Sequence, residues 1–132
     1  MAKTGNAILE HYEWYSNIES KISLIRDIIV HALPVERLYL FGSYVDGGFS
    51  SDRESDLDFF VVLEDSYSRS PHEALVEMEH VLWEDSRWGL NASYIPTDFL
   101  AQKSSRFNEM AKVTTLEQKV FRDGRLVYDK RL

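Results

Sequence analysis

Two segments decide the fold of this chain: Leu38-Tyr39-Leu40-Phe41-Gly42-Ser43 and Ser55-Asp56-Leu57-Asp58-Phe59-Phe60-Val61-Val62. Each contains a short apolar run of the kind that forms a buried strand. The first run stops at a Gly-Ser pair, and the second starts within an Asp-x-Asp triplet. A polar, glycine-containing loop of twelve residues separates Ser43 from Asp56. The pattern predicts two strands joined by this loop, with glycine, serine and carboxylate groups where the strands end or begin.

Helical patterns surround these strands. From about residue 8 to residue 32, four isoleucines at steps of four and three share one face of an amphipathic helix, which predicts core packing: Ile18, Ile22, Ile25 and Ile29. Pro34 ends any helix there. A second helix starts at Ser70-Pro71-His72-Glu73, where serine caps, proline occupies the first turn and glutamate completes a capping box. It extends to about residue 86.

The rest of the chain alternates between the two kinds of element. The stretch Leu90–Ile95 predicts a third strand, closed by Pro96, and Thr114 or Thr115 caps a short helix. A final strand is expected at Leu126–Tyr128, after the turn Asp123-Gly124. The order of elements predicts an α/β (α+β) fold with a small mixed sheet flanked by helices, as a single domain over residues 1–132.

Composition excludes several classes of function. The formal net charge of −7 produces a surface that repels a polyphosphate backbone, so strong nucleic-acid binding is not expected. The chain has no cysteine, which excludes a disulfide framework, a thiolate metal site and a cysteine nucleophile, and is compatible with a cytoplasmic location. No apolar run approaches the roughly 20 residues that a membrane-spanning helix needs, so no membrane partner is expected.

Asp56 and Asp58 are candidate metal ligands. Side chains two apart on a strand project from the same face, with Cα atoms roughly 6.6 Å apart. Two carboxylates about 6 Å apart repel by roughly 3 kcal/mol at an effective dielectric near 20. A divalent cation between them makes the interaction attractive, and oxygen ligands suit Mg²⁺ or Mn²⁺. The alternative is a solvated acidic strand end without a metal.

Gly42 and Ser43 are candidate phosphate ligands. A glycine directly after a strand permits a tight turn and a close approach of the backbone to a ligand. If a helix begins there, its first N–H groups and the serine hydroxyl can donate to a phosphate oxygen. The two halves of the pattern therefore predict a metal–nucleotide site, with nucleotide contacts from Gly42, Ser43, Asp56 and Asp58. The alternative role of the glycine is purely that of a turn.

The segment from Leu40 to Val62 resembles the nucleotidyltransferase superfamily of DNA polymerase beta, in which Gly-Ser precedes Asp-x-Asp. It is most similar to the minimal nucleotidyltransferases, in which Gly-Ser-Tyr or Gly-Ser-Arg is followed by a glycine loop and Ser-Asp-Leu-Asp. The resemblance implies a polymerase beta-like fold and two metal ions held by Asp56 and Asp58. It also implies transfer of a nucleoside monophosphate, AMP in the first instance, from ATP or another nucleoside triphosphate to a hydroxyl group.

The resemblance also predicts a third carboxylate on a later strand, which holds the metal nearest the acceptor. On the expected strand this position falls at Asn91, with Ser93 as the second choice, and neither residue ionises. Asn91 therefore favours a catalytically weakened nucleotide-binding or partner-binding module over an active adenylyltransferase-like enzyme. Downstream cations, including Lys103 and Arg106, are either ordinary surface charge or a positive group for the triphosphate.

A third functional hypothesis concerns partners. Minimal nucleotidyltransferases include antitoxins that bind, and in some cases modify, ribonucleases of the HEPN family. The chain is too short to contain the extra domain with which larger relatives hold their acceptors. Acceptor recognition is therefore expected through a HEPN-family toxin or a homo-oligomer.

Overall fold

The computed structural model describes residues 3–47, 56–85 and 97–132, with residues 3–17 as backbone only. Both helices and strands occur along these ranges and form one mixed sheet with helices against it, which confirms the predicted α/β class. The helices are α1 (Lys3–Ala32), α2 (Ser43–Asp46), α3 (Pro71–Glu84), α4 (Ser104–Met110) and α5 (Leu116–Asp123). The strands are β1 (Val35–Phe41), β2 (Leu57–Leu63), β3 (Thr97–Lys103) and β4 (Arg125–Asp129).

The four strands form one mixed sheet in the order β3-β2-β1-β4. The central strand β2 is antiparallel to β1 and parallel to β3, while β4 is antiparallel to β1. This topology brings the end of β1 and the beginnings of β2, β3 and β4 to one end of the sheet. The Gly-Ser pair and the Asp-x-Asp triplet therefore meet at that end.

Helices cover both faces of the sheet. On one face, α1 and α3 pack against alternate strand residues such as Leu38, Leu40 and Phe59. The isoleucine stripe predicted from the sequence lies in this core, with Ile18 and Ile25 fully buried. On the other face, Phe107 of α4 and Val120 of α5 pack in a second cluster with strand residues Tyr39, Phe60 and Val62. Burying a side chain of this size contributes roughly 1.5–3 kcal/mol, so both layers hold the sheet in place.

The helix starts follow the local signals. The Ser70 hydroxyl accepts from the Glu73 N–H, and the Glu73 side chain accepts from the Ser70 N–H, which confirms the predicted capping box. Thr115 caps α5 by accepting from the Gln118 N–H at 3.2 Å. Each such cap contributes about 1 kcal/mol.

Two parts of the architecture differ from, or lie beyond, what the sequence predicted. The strand expected at Leu90–Ile95 lies outside the described residues, and the strand that pairs with β2 is Thr97–Lys103. Helix α4 follows it directly and was not predicted. None of the helices in the described ranges combines the length and apolar character that a membrane crossing requires.

Candidate active site

The Asp-x-Asp carboxylates lie at the start of the central strand. Asp56 precedes β2, and Asp58 is its second residue. In the sheet, Asp58 lies opposite Phe41 of β1 on one side and opposite Asp98 of β3 on the other. The predicted pair therefore stands beside the Gly-Ser turn, and a third carboxylate stands on the neighbouring strand.

The three carboxylates form a compact acidic cluster. One carboxylate oxygen from each of Asp56, Asp58 and Asp98 lies within 4.8 Å of the others. Asp56 and Asp58 are half-buried, whereas Asp98 is exposed. Side chains of like charge are held this close only because the parallel register of β2 and β3 places Asp58 and Asp98 side by side.

The cluster changes the ionisation of its central member. Burial is the largest cause that raises the pKa of Asp58 above its ordinary value, and the negative charges of Asp98 and Asp56 raise it further. Both causes disfavour the charged form of a carboxyl group. A bound cation would act in the opposite direction, because it favours the ionised carboxylate. The cluster is thus electrostatically unfavourable by itself and is suited to a positive ligand.

The donor set fits a small divalent cation. Mg²⁺ binds oxygen ligands at about 2.0–2.1 Å in octahedral geometry, so its ligands are about 2.9 Å apart when adjacent and about 4.1 Å apart when opposite. Carboxylate oxygens within 4.8 Å of one another must therefore move closer to share one ion. Within the described ranges, Asp56, Asp58 and Asp98 are the residues that could hold a metal, and an ion with three carboxylate ligands keeps positions for phosphate oxygens or water.

Gly42 lies against this cluster, and two observations show why the residue there is glycine. Its φ is +82°, a left-handed conformation that favours glycine. A Cβ atom at this position would lie 2.3 Å from Oδ2 of Asp58, which no side chain can occupy without displacing the carboxylate. Ser43 follows as the first residue of α2. The structure therefore brings the Gly-Ser turn and the metal-binding candidates together at one end of the sheet.

The basic residues considered as partners of the triphosphate lie elsewhere. Lys103 pairs in register with Leu63 at the opposite end of β2, and its Nζ donates to the Tyr67 carbonyl at 2.8 Å. Arg106 lies in α4, which starts at that same end of the sheet, and its Nη1 is 3.5 Å from Oε2 of Glu109. Basic groups at the acidic end include Lys119, whose Nζ is 3.5 Å from Asp46 on α2, and Arg125 at the start of β4. The charges of Lys103 and Arg106 therefore do not serve the cluster.

Asp98 is the member of the cluster that the sequence did not single out. Asn91, the expected third-carboxylate position, lies outside the described residues. The sequence predicts that the third strand ends at Pro96, whereas the strand beside β2 starts at Thr97. The local signal of Asp98 is partial: Asp98 precedes the apolar residues 99–101 as Asp58 precedes the apolar residues 59–63, but the pairing of the two strands is not visible in the sequence.

The family model of the nucleotidyltransferase domain matches residues 22–121 of the chain. The chain belongs to the nucleotidyltransferase domain family. The match contains the Gly-Ser turn and all three carboxylates of the cluster, and it confirms the resemblance found in the sequence.

One solved structure shares the fold of this nucleotidyltransferase. It is a candidate nucleotidyltransferase from Sulfolobus solfataricus, with a TM-score of 0.54 and 18% sequence identity over 88% of this chain and 89% of that one. Since the identity is low, the likeness shows the fold alone. No curated protein sequence matches the chain.

Proposed function

We propose that this nucleotidyltransferase moves a nucleoside monophosphate, AMP as the first candidate, from a Mg²⁺-bound nucleoside triphosphate to a hydroxyl group of a protein or small molecule. The observation that carries the proposal is the convergence of three carboxylates within 4.8 Å of one another at the end of the sheet where Gly42 meets Asp58. A purely structural sheet end has no need for three adjacent like charges.

In this proposal the carboxylates hold the metal. Asp56 and Asp58 are the main ligands of Mg²⁺ or Mn²⁺, and Asp98 is the third. When bound, the cation neutralises charge on the triphosphate and orients it for displacement. The raised pKa of Asp58 supports this role, since a carboxyl group that ionises against burial and two neighbouring charges gains most from a cation.

Gly42 and Ser43 contact the phosphates. The absence of a side chain at Gly42 allows Oδ2 of Asp58 to lie against its backbone. A cation held by Asp58 would therefore lie beside this turn, where a phosphate oxygen on that cation would meet it. The Ser43 hydroxyl supplies a neighbouring donor.

The reaction requires one bond to form and one to break. The acceptor oxygen bonds to the α-phosphorus, the bond to the oxygen bridging the α- and β-phosphorus breaks, and pyrophosphate leaves with that oxygen. The acceptor's proton passes to a carboxylate and then to water. Asp98 is suited to receive it, because it is the exposed member of the cluster and so the one an acceptor reaches. General-base help of this kind is typically worth about 10²–10⁴ in rate.

Turnover is favoured over the alternative of a weakened binding module. That alternative rested on Asn91 as a third position without charge. Asp98 supplies a carboxylate beside Asp58 in the described part of the chain. We therefore propose an active enzyme whose single nucleotidyltransferase domain spans residues 1–132 of this sequence, working in the cytoplasm where nucleotides and Mg²⁺ are available.

The resemblance to minimal nucleotidyltransferases indicates the class of acceptor. We propose a HEPN-family toxin as the first acceptor to examine, with this chain as its antitoxin, and a homo-oligomer as the alternative route to acceptor recognition. Purification of the native protein and mass spectrometry of what accompanies it test this. Recovery of a HEPN protein carrying an added nucleotide mass supports the antitoxin role, and recovery of the chain alone as a monomer argues against both routes.

The transferase proposal itself is tested by titration of the purified protein with ATP, GTP, CTP and UTP in Mg²⁺. We expect one or more to bind, and the Asp56→Asn and Asp58→Asn variants to lose at least tenfold in affinity while remaining folded. Pyrophosphate release in the presence of the recovered acceptor then reports transfer. Failure of all four nucleotides to bind the wild type, or unchanged affinity in both variants, contradicts the proposal.

A further inference from the structure

The position of α2 must be fixed from outside the helix. It contains four residues, Ser43–Asp46, and a single helical turn has little stability of its own. It is also the element that carries Ser43 beside the acidic cluster. A shift of this turn would move the serine relative to Asp58, so whatever anchors α2 also sets the geometry for the nucleotide.

One carboxylate joins α2 to two other elements. The Tyr44 hydroxyl of α2 donates to Oε2 of Glu19 at 2.5 Å. Arg125 of β4 donates to the same carboxylate with both terminal nitrogens, Nη1 to Oε2 at 3.0 Å and Nη2 to Oε1 at 2.6 Å. A bidentate arginine–carboxylate pair has a defined geometry as well as charge assistance. The three residues thus form a fixed bracket, which we call the Glu19 bracket.

Both ends of the Glu19 bracket rest on rigid parts of the fold. Glu19 follows Ile18 in α1, and Ile18 is fully buried in the core. Arg125 pairs in register with Leu40, which is also fully buried and lies two residues before Gly42. Tyr44 is therefore held by groups whose backbones cannot move easily, at the same end of the sheet as the acidic cluster.

The charge state of Glu19 agrees with this geometry. Its hydrogen bond with Arg125 is the largest influence on its pKa, which lies below the ordinary value despite some burial, and the Tyr44 hydroxyl lowers it further. Glu19 is therefore ionised at neutral pH. The Glu19–Arg125 pair is 37% and 44% exposed, little less than the pair Asp46–Lys119 on α2 at 46% and 56%. The two pairs differ in geometry, because Arg125 makes two hydrogen bonds to Glu19, whereas Lys119 makes a single contact at 3.5 Å.

We propose that Glu19 is a positioning residue of the nucleotide site: through Tyr44 and Arg125 it fixes the Gly42-Ser43 turn relative to the acidic cluster. The inference rests on the proposed function, since it assigns the turn to the triphosphate. Glu19 and Tyr44 touch neither metal nor nucleotide in this account. Their effect is on the affinity for the triphosphate, through the position of the turn.

The test compares Tyr44→Phe and Glu19→Gln with the wild type. Tyr44→Phe keeps the ring and removes the donor, and Glu19→Gln keeps the size and removes the charge. The matched control is Asp27→Asn, which removes an exposed carboxylate paired with Arg26 on the same helix. Affinity for the best-binding Mg²⁺–nucleotide, affinity for Mn²⁺ alone and melting temperature are measured for each protein.

Both variants should raise the nucleotide Kd, and the KM where transfer is measured, by about three- to tenfold, because the turn is no longer held. The affinity for Mn²⁺ alone should stay within about twofold, and Asp27→Asn should match the wild type. If Glu19→Gln fails to fold, Tyr44→Phe decides alone. Variants that lower the melting temperature but keep the wild-type nucleotide Kd overturn the inference, as does an equal loss of Mn²⁺ affinity. A wild type that binds no nucleotide contradicts the proposed function instead.

Discussion

The substitution Asp58→Asn distinguishes the destabilising repulsion within the acidic cluster from the stabilisation that a bound cation provides. Asparagine keeps the size of the side chain and removes the charge at the centre of the cluster. In metal-free buffer we therefore expect the variant to be more stable than the wild type. In Mg²⁺ or Mn²⁺ the order should reverse or the gap should close, because the wild type alone gains from a bound cation.

The magnitude follows from the spacing. Unit charges at the limiting oxygen separation of 4.8 Å repel by about 3.5 kcal/mol at an effective dielectric of 20 and by about 0.9 kcal/mol in water. Asp98 is exposed and Asp58 is only half-buried, so the lower figure applies. Asp58 faces two such neighbours, and partial protonation already relieves some of the repulsion. A gain of about 1 kcal/mol remains, or about 3 °C in melting temperature for a chain of this length.

Thermal unfolding in EDTA and in Mn²⁺ measures both halves of the prediction. Asp27→Asn is the control, because it removes one exposed carboxylate from α1 and should change stability by less than about 0.5 kcal/mol. A melting temperature of Asp58→Asn below that of the wild type in EDTA would contradict this prediction, as would equal stabilisation of the variant and the wild type by Mn²⁺. Either result would mean that Asp58 serves the fold and not a cation.

Three further outcomes are expected. The folded-state pKa of Asp58 is raised, so the folded protein binds the proton of this carboxyl group more tightly than the unfolded chain does. Metal-free stability should therefore fall as the pH rises from the unfolded-state pKa of Asp58 through its folded-state pKa. Urea titrations at stepped pH should show this fall in the wild type and not in Asp58→Asn. Gly42→Ala should destabilise the fold by about 1–2 kcal/mol and remove nucleotide binding, because its Cβ would lie 2.3 Å from Oδ2 of Asp58; a variant that melts like the wild type and binds normally would show that the turn is not constrained. Asp98→Asn should slow transfer by about 10²–10⁴ and weaken nucleotide binding less than Asp58→Asn does, as read from pyrophosphate release and calorimetry; an unchanged rate would remove Asp98 from the reaction.

Local signals predicted much of the fold. The capping box at Ser70 and the isoleucine stripe of α1 depend on residues close in sequence, and both are found in the structure. The Gly-Ser turn and the Asp-x-Asp triplet also lie where apolar strands end and begin, so their placement could be read from the sequence. Each of these features depends only on residues close in the sequence, so it can be predicted without knowing which strands pair.

Features that depend on contacts between elements far apart in the sequence were missed. Asp98 joins the cluster only because β3 lies parallel to β2 in one particular register, which no local pattern specifies. Arg37 is 5% exposed in β1, where its Nη2 donates to Oδ1 of Asn108 at 2.7 Å, and this depends on the packing of α4. The contact between Glu19 and Arg125 spans 106 positions. Periodicity and turn chemistry cannot anticipate contacts of this range.

The anomalous signal of Mn²⁺ in crystals grown with a non-hydrolysable nucleoside triphosphate would locate the metal and the phosphates together. We expect Mn²⁺ between the carboxylates of Asp56, Asp58 and Asp98, with the phosphates against Gly42 and Ser43. Mn²⁺ bound elsewhere, or phosphates that avoid the Gly-Ser turn while the carboxylates remain without metal, would contradict this expectation.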